Sequence, residues 1–463
     1  MFALRRIALA AAIVVLATGS GRAQSGKSKT EPIAEATIRS HMEFLAGDAL
    51  NGRGSGTRDE WLAATYIASN LQRWGIEPLG DAGGFVQAVE TPRGELAAPP
   101  VVAVGDKVKL THGKDTLVTT IGTAHVSGPL VKYVKGVAIP AGAVVLVLGT
   151  DAPDAAALNT AAAVFTPETE QIRARWETTA ANTRVTPAPG RPWRVSVDAK
   201  SFLALAQTAD GTVVKLDADV KPGHTWNAIG QLKGSDPKAA GEVILLTAHL
   251  DHLGVRGTGA DTINNGADDD ASGSTAVLAL AEAIAKGKRP KRTVIFAWFG
   301  SEESGGAGAR NFLDHPPVPL DSIVANLEFE MIGRADEKVP PHTLWLTGYE
   351  RSNLGPELAK QGAKIVADPH PEQNFFSRSD NIQLAYRGII AQTVSSFNLH
   401  KEYHTPADDL AHIDFAHMTD SIRSMLTPVL WLANSTFKPE WLPGKKPVAP
   451  AGRGRGAGAG PRS

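Results

Sequence analysis

The chain has 463 residues, of which 43% are hydrophobic, enough for a large core and for two or three domains. Charged residues make up 21% and the formal net charge is −1, a balance from which neither a basic nucleic-acid footprint nor an acidic solvating character follows. Cysteine is absent, so a disulfide framework, a thiol nucleophile, a zinc–thiolate site and a lipidated N-terminal cysteine are excluded together. Any metal must be held by His, Asp and Glu.

In chain order, Arg5 and Arg6 precede an uninterrupted apolar run from Ile7 to Ala17, and small residues lead to Gly21-Arg22-Ala23. This reads as a signal peptide over residues 1–23, too short in its apolar part to span a bilayer. The expected localisation is therefore periplasmic or secreted, without a stable membrane anchor after cleavage. Ser25 to Thr30 reads as a linker. Helical spacing follows over Ile33–Leu45 and Asp59–Trp74, separated by the Gly-rich loop "NGRGSGTRDE", and residues 31–97 open the main domain.

Across 98–222 short Val-rich runs such as Val144–Leu148 alternate with Gly, Pro and Asp clusters, the pattern of an inserted small β-rich domain. From 223 to 440 strand and helix patterns alternate. Strands are expected at Val243–Leu250, Thr293–Phe299, Ile323–Met331, Thr343–Thr347 and Gly388–Val394. Helices are expected at Ser274–Lys286, Ala307–Leu313 and Phe415–Ser435. The fold class is α/β, a mostly parallel sheet sandwiched by helices. Residues 441–463 form a Pro-, Gly- and Arg-rich tail expected to be disordered.

An open parallel sheet binds ligands at the carboxyl ends of its strands, and these ends are rich in His, Asp and Glu. "TAHLDHLG" carries His249, Asp251 and His252; "NNGADDDASGSTAV" carries Asp268, Asp269 and Asp270. "WFGSEESGG" supplies Glu302 and Glu303, whose opposite facing on a strand would let one bind metal while the other acts as a base. "NLEFEMIGR" places Glu328 and Glu330 on one face by alternation, and "LHKEYHTPADD" adds His400, Tyr403 and His404. Each motif alone has a plain reading: N-capping for the aspartates, hydrogen-bonded loops for the histidines. Together, two His and three carboxylates form a ligand set for two divalent ions, with a further carboxylate free as base. Two such ions lower the pKa of a shared water and polarise a carbonyl, which is hydrolytic chemistry.

The stretches "NAIGQLKGSD", "VILLTAHLDHLG", "GADDDASGSTAVLALAEA", "FAWFGSEESGGAGARNF", "ANLEFEMIGR", "SRSDNIQLAYRGIIA" and "EYHTPADDLAHID" run in order from Asn227 to Asp414. The sequence resembles the M28 family of zinc peptidases, the family of secreted bacterial two-zinc aminopeptidases. "HMEFLAGDALNGRGSGT" and "FVQAVE" resemble the opening of members with an inserted protease-associated domain. The resemblance implies two Zn²⁺ per chain bound by His249, Asp269, Glu303, Glu330 and His404, with Asp269 bridging. It implies Glu302 as general base on a metal-bridged water, Asp251 as the residue orienting His249, and Tyr403 as a donor to the developing oxyanion, unless that ring merely packs. The implied substrates are peptides with a free N-terminus.

Two departures stand out. Relatives often have Asp where this chain has Glu330, which leaves Glu328 as an alternative ligand. They often have His where it has Asn381, a residue expected near the substrate pocket. The alternatives are a single-zinc acyltransferase of the glutaminyl-cyclase type and a non-catalytic receptor-like ectodomain; metal stoichiometry separates them.

Overall fold

A computed structural model describes residues 32–450, apart from 107, 150–154 and 258; the expected signal peptide and the Ser25–Thr30 linker lie outside these residues. The main domain is organised around two fully buried strands, β3 (Val243–His249) and β4 (Thr293–Phe299). Their side chains divide by alternation. Ile244, Leu246, Val294, Phe296 and Trp298 join one apolar layer, whereas Leu245, Ile295, Ala297 and Phe299 join another. A strand covered on both faces has no polar side, which is why these segments are continuous apolar runs.

The first layer holds helices α1 (Glu35–Leu45), α2 (Arg58–Arg73), α3 (Gly273–Lys286) and α6 (Phe415–Asn434). The second holds α4 (Ala307–Asp314) and α5 (Asn381–Tyr386). Six longer strands join them, β1 (Val86–Leu96), β2 (Val220–Leu232), β5 (Ile323–Phe329), β6 (Leu344–Leu346), β7 (Ile365–Ala367) and β8 (Ala391–Ser395), and the short Glu77–Pro78 pairs with β2. Their order is β7-β6-β8-β5-β3-β4-β2-β1, with Arg184–Val185 at the edge. The central run β8, β5, β3, β4 is parallel. On either side the pairs β6–β8, β4–β2 and β2–β1 are antiparallel. The sheet is therefore mixed rather than mostly parallel. The cause is connectivity: β1 leaves toward residues 97–219 and β2 returns from them, so the two run in opposite directions side by side.

Residues 101–217 build a second, eight-stranded sheet, ordered from Val108–Thr111 at one edge to Thr116–Thr120 at the other. It has its own apolar core, including Leu130, Leu146, Phe165, Trp193 and Leu216. Three of its ladders are parallel, and the helix Ala199–Gln207 packs against it, so this region mixes strands and helices.

The packed chain continues beyond residue 440. The Trp441 indole donates to the Gly388 carbonyl at 3.2 Å, and Leu442 N donates to Arg351 O at 2.8 Å. The expected tail thus begins as a docked segment, and residues 451–463 lie outside those described.

Candidate metal centre

Parallel β3, β4 and β5 end along one edge, and the chain leaving each of them carries the polar side chains expected there. His249 is the last residue of β3 and is buried. Its Nε2 lies 3.1 Å from Asp269 Oδ1. The other oxygen, Asp269 Oδ2, lies 3.1 Å from His404 Nε2 and 3.8 Å from His252 Nδ1. Glu303 Oε1 lies 3.2 Å from His404 Nε2 and 2.9 Å from His252 Nδ1. Ligand atoms of His249, Asp269 and Glu330 fall within 4.8 Å of one another, as do those of His252, Asp269 and Glu303. Two adjoining clusters therefore share Asp269, one oxygen toward each.

Glu302 and Glu303 are not strand residues. After β4, Ser301 takes a left-handed conformation (φ 59°) and Glu302–Ser304 forms a single 3₁₀ turn. Turn geometry, not strand alternation, sends the two carboxylates in different directions. Glu302 N donates to Asp251 Oδ1 at 2.9 Å, and Ser301 N donates to Glu60 Oε1 at 3.1 Å. Glu60 is buried in the first turn of α2, so the second helix braces the Glu302 turn from behind.

Asp251 is fully buried and accepts from Ser55 Oγ as well as from Glu302 N. His249 Nδ1 sits 3.1 Å from the Asp251 main-chain oxygen and 3.7 Å from its carboxylate. The imidazole is thus oriented chiefly by the carbonyl, while the carboxylate holds the turn of Glu302.

Of the pair on β5, Glu328 is buried inside the strand and accepts from Asn381 N at 2.6 Å. Glu330 lies just past the strand end and belongs to the cluster with His249 and Asp269. Asn381 is fully buried and donates to the Phe376 and Ala391 carbonyls; it does not line the pocket beside the clusters. That pocket is bounded by Glu330, Tyr403, Trp345, Phe375, Phe397 and Arg378 among others. Tyr403 stacks on His404 with ring centroids 3.7 Å apart. His400 turns away, its Nε2 lying 3.1 Å from Asp268 Oδ2.

Sequence reading gave no role to three residues that shape the site. Asp408 accepts from Asp268 N at 2.9 Å and Asp269 N at 3.1 Å, fixing the loop that carries the shared carboxylate. Arg53, buried in the Gly-rich loop, donates to the carbonyls of Leu250, Asn265 and Gly266, joining the ends of two ligand loops. His252 is the third. A lone Arg amid glycines and the first Asp after "PA" were the available signals.

Burial raises the carboxyls of Asp270, Glu302 and Glu328 well above the ordinary range, and takes Glu330 and Asp380 to about 7. Asp269 and Glu303 go the other way: burial opposes their charge, but His249 and His404 hold Asp269 ionised, and His252 and His404 lower Glu303. Burial likewise disfavours a charged His249, yet Asp251 and Asp269 outweigh it and its pKa rises. Crowding many buried acids around neutralisable imidazoles is costly without cations. His249 Nε2, His252 Nδ1 and Glu303 Oε1 are buried and make no hydrogen bond, although partner atoms lie nearby. Nitrogen and oxygen donors left open toward shared centres fit divalent zinc.

A mixed sheet with a parallel centre, displaying two adjoining His and carboxylate clusters at its strand ends, defines an α/β protein whose strand-end donors could hold metal ions. Residues 227–428 match the family model described as Peptidase family M28. That segment is what the chain shares with peptidase family M28. It is 31% identical over 160 residues to leupeptin-inactivating enzyme 1 of Streptomyces exfoliatus, covering 34% of this chain and 33% of that protein. It is 32% identical over 133 residues to an aminopeptidase of Pseudomonas aeruginosa, covering 28% of this chain and 23% of the relative. The matches thus span a third or less of these relatives' lengths. Among solved structures, BSAP, a zinc aminopeptidase from Bacillus subtilis, shares the fold, with a TM-score of 0.51 at 18% identity over 88% of this chain and 96% of that one.

Proposed function

We propose that this chain is an exported, zinc-dependent aminopeptidase that removes N-terminal residues from peptides. The observation that carries the reading is Asp269, whose two oxygens face His249 and His404 at 3.1 Å each. A carboxylate so shared suits two ions a few ångströms apart. His249 and Glu330 would complete one site, and Glu303 and His404 the other. Bound zinc supplies Lewis-acid polarisation of the scissile carbonyl and a water of lowered pKa.

The protein's own part is to place a base and a pocket. Glu302 is half-buried, and desolvation raises its carboxyl above the usual range, which favours its accepting a proton. Asp251 and Glu60 fix its turn through backbone hydrogen bonds. The aromatic-walled pocket bounded by Glu330 and Tyr403 would take the side chain of the N-terminal residue, with Tyr403 beside the reacting carbonyl. Residues 98–222 are assigned to an inserted protease-associated-like domain, and residues 1–23 to an export signal. No described helix is long and apolar enough to cross a membrane.

The reading is tested by assaying the zinc-loaded protein on a panel of aminoacyl-p-nitroanilides, with N-acetylated counterparts as controls and zinc counted by elemental analysis. Cleavage of free but not blocked substrates with two zinc ions per chain is expected. One zinc ion with cyclising activity on N-terminal glutamine would overturn it in favour of the acyltransferase reading, and failure to bind zinc would favour the non-catalytic one.

A further inference from the structure

The metal reading leaves one buried imidazole without a task. His252 is fully buried, and neither of its ring nitrogens makes a hydrogen bond. Its backbone is pinned: His252 N donates to Arg53 O, Ser55 N donates to His252 O, and Gly54 pairs with it as an isolated bridge. Its ring is pinned as well. A Cβ on Gly266, which has φ +58°, would come within 2.5 Å of His252 Cγ, so the chain keeps glycine there and the ring lies flush against the loop that carries Asp269.

Held in this way, Nδ1 faces the same two oxygens that His404 Nε2 faces. Asp269 Oδ2 is 3.8 Å from His252 and 3.1 Å from His404; Glu303 Oε1 is 2.9 Å from His252 and 3.2 Å from His404. Zinc bonds to N and O of about 2.0–2.2 Å set the edges of a tetrahedral shell at roughly 3.4 Å. The four separations scatter around that length. Moreover, His252 Nδ1 and Glu303 Oε1 are 2.9 Å apart without hydrogen-bond alignment, as two donors directed at a common third point would be.

We propose that His252 is a direct metal ligand, completing with Asp269, Glu303 and His404 a four-donor site next to the three-donor site of His249, Asp269 and Glu330. This rests on the two-zinc reading above and adds an asymmetry to it. A shell of four protein donors is the closed type that retains its ion, whereas three protein donors leave a position open for water or substrate. The ion beside His252 is then the slow-exchanging one, and the ion beside Glu330 the labile one.

The test is competition of zinc against a chromophoric chelator, using metal-free full-length wild type, His252→Ala and His252→Asn. Wild type should give one tight and one weaker site. Each variant should lose affinity at the tight site by more than the roughly 10–100-fold that removal of an outer-shell partner costs, with the weaker site little changed. The cobalt-substituted tight site should also lose visible absorption intensity as its nitrogen donor goes. Thermal melts of the metal-free proteins check folding, and the Asn variant decides if the Ala variant is unstable. A loss of 100-fold or less, or none, overturns the proposal and leaves His252 orienting Glu303. In that case wild type still binds two ions and cleaves its substrates, so the peptidase reading stands. Wild type binding fewer than two ions would sink both.

Discussion

At the residue scale, the site separates groups that should hold metal from groups that should handle protons. Glu302→Gln preserves the turn, because its backbone N still donates to Asp251, but the amide cannot accept a proton. Turnover should fall by about 10²–10⁴-fold in kcat while zinc content stays at the wild-type level. Steady-state kinetics with parallel elemental analysis checks this, and near-wild-type kcat in a fully loaded variant removes Glu302 from the role. Glu330 and Glu328 form a paired test. Glu330→Ala should empty one site selectively. Glu328→Ala should keep both ions and lower the melting temperature, since Glu328 anchors Asn381 N inside the sheet. Zinc titration of the two variants reverses the assignment if Glu328→Ala is the one that loses an ion. The charged candidates were legible because acids and imidazoles at the ends of fully apolar strands have few other uses. Arg53 and Asp408 were not, because their partners are carbonyls and amides that only the folded chain brings near.

At the scale of elements, periodicity located helices and buried strands to within a residue or two where packing alone shapes them, as for Thr293–Phe299 and Gly273–Lys286. It failed where backbone conformation departs from the repeat. The left-handed Ser301 ends β4 and makes the 3₁₀ turn of Glu302, a change no side-chain pattern announces. Helix α1 carries a consequence of its burial. His41 Nδ1 meets the Tyr66 hydroxyl at 2.8 Å, and the ring packs edge-on to Trp74. Burial lowers its pKa from 6.5 to about 4, with Glu282 opposing and Arg73 reinforcing the shift. The unfolded chain therefore takes up a proton that the folded chain refuses. This contribution to stability is full above pH 6.5, declines as pH falls, and levels off below about pH 4. The loss across that window is on the order of 3 kcal/mol. Urea unfolding of wild type and His41→Leu between pH 4 and 7 should show a shallower pH slope for the variant; equal slopes would assign the acid sensitivity elsewhere.

For the whole molecule, the proposed ligands come from five separate stretches between His249 and His404, so bound zinc would tie the main domain together. Chelation should lower the melting temperature, and zinc at 100 times its dissociation constant should restore about 2.7 kcal/mol per site. Scanning calorimetry across a zinc series checks this, and a melting temperature indifferent to zinc would show that the metal does not bind the folded state preferentially. The second sheet stands in a different relation to the rest. Leu96 and Val220 are cross-strand partners, so the segment between them starts and finishes at one spot. A two-residue Asn-Gly turn joining Leu96 to Val220 would close β1 and β2 as an ordinary hairpin. The shortened protein should fold and bind two zinc ions, but lose Arg184 from the cavity of about 430 Å³ that Ser301 and Ser304 also line. If it does, the 97–219 segment is a plug-in cartridge: replaceable without rewiring what remains, and free to diverge at a pace of its own.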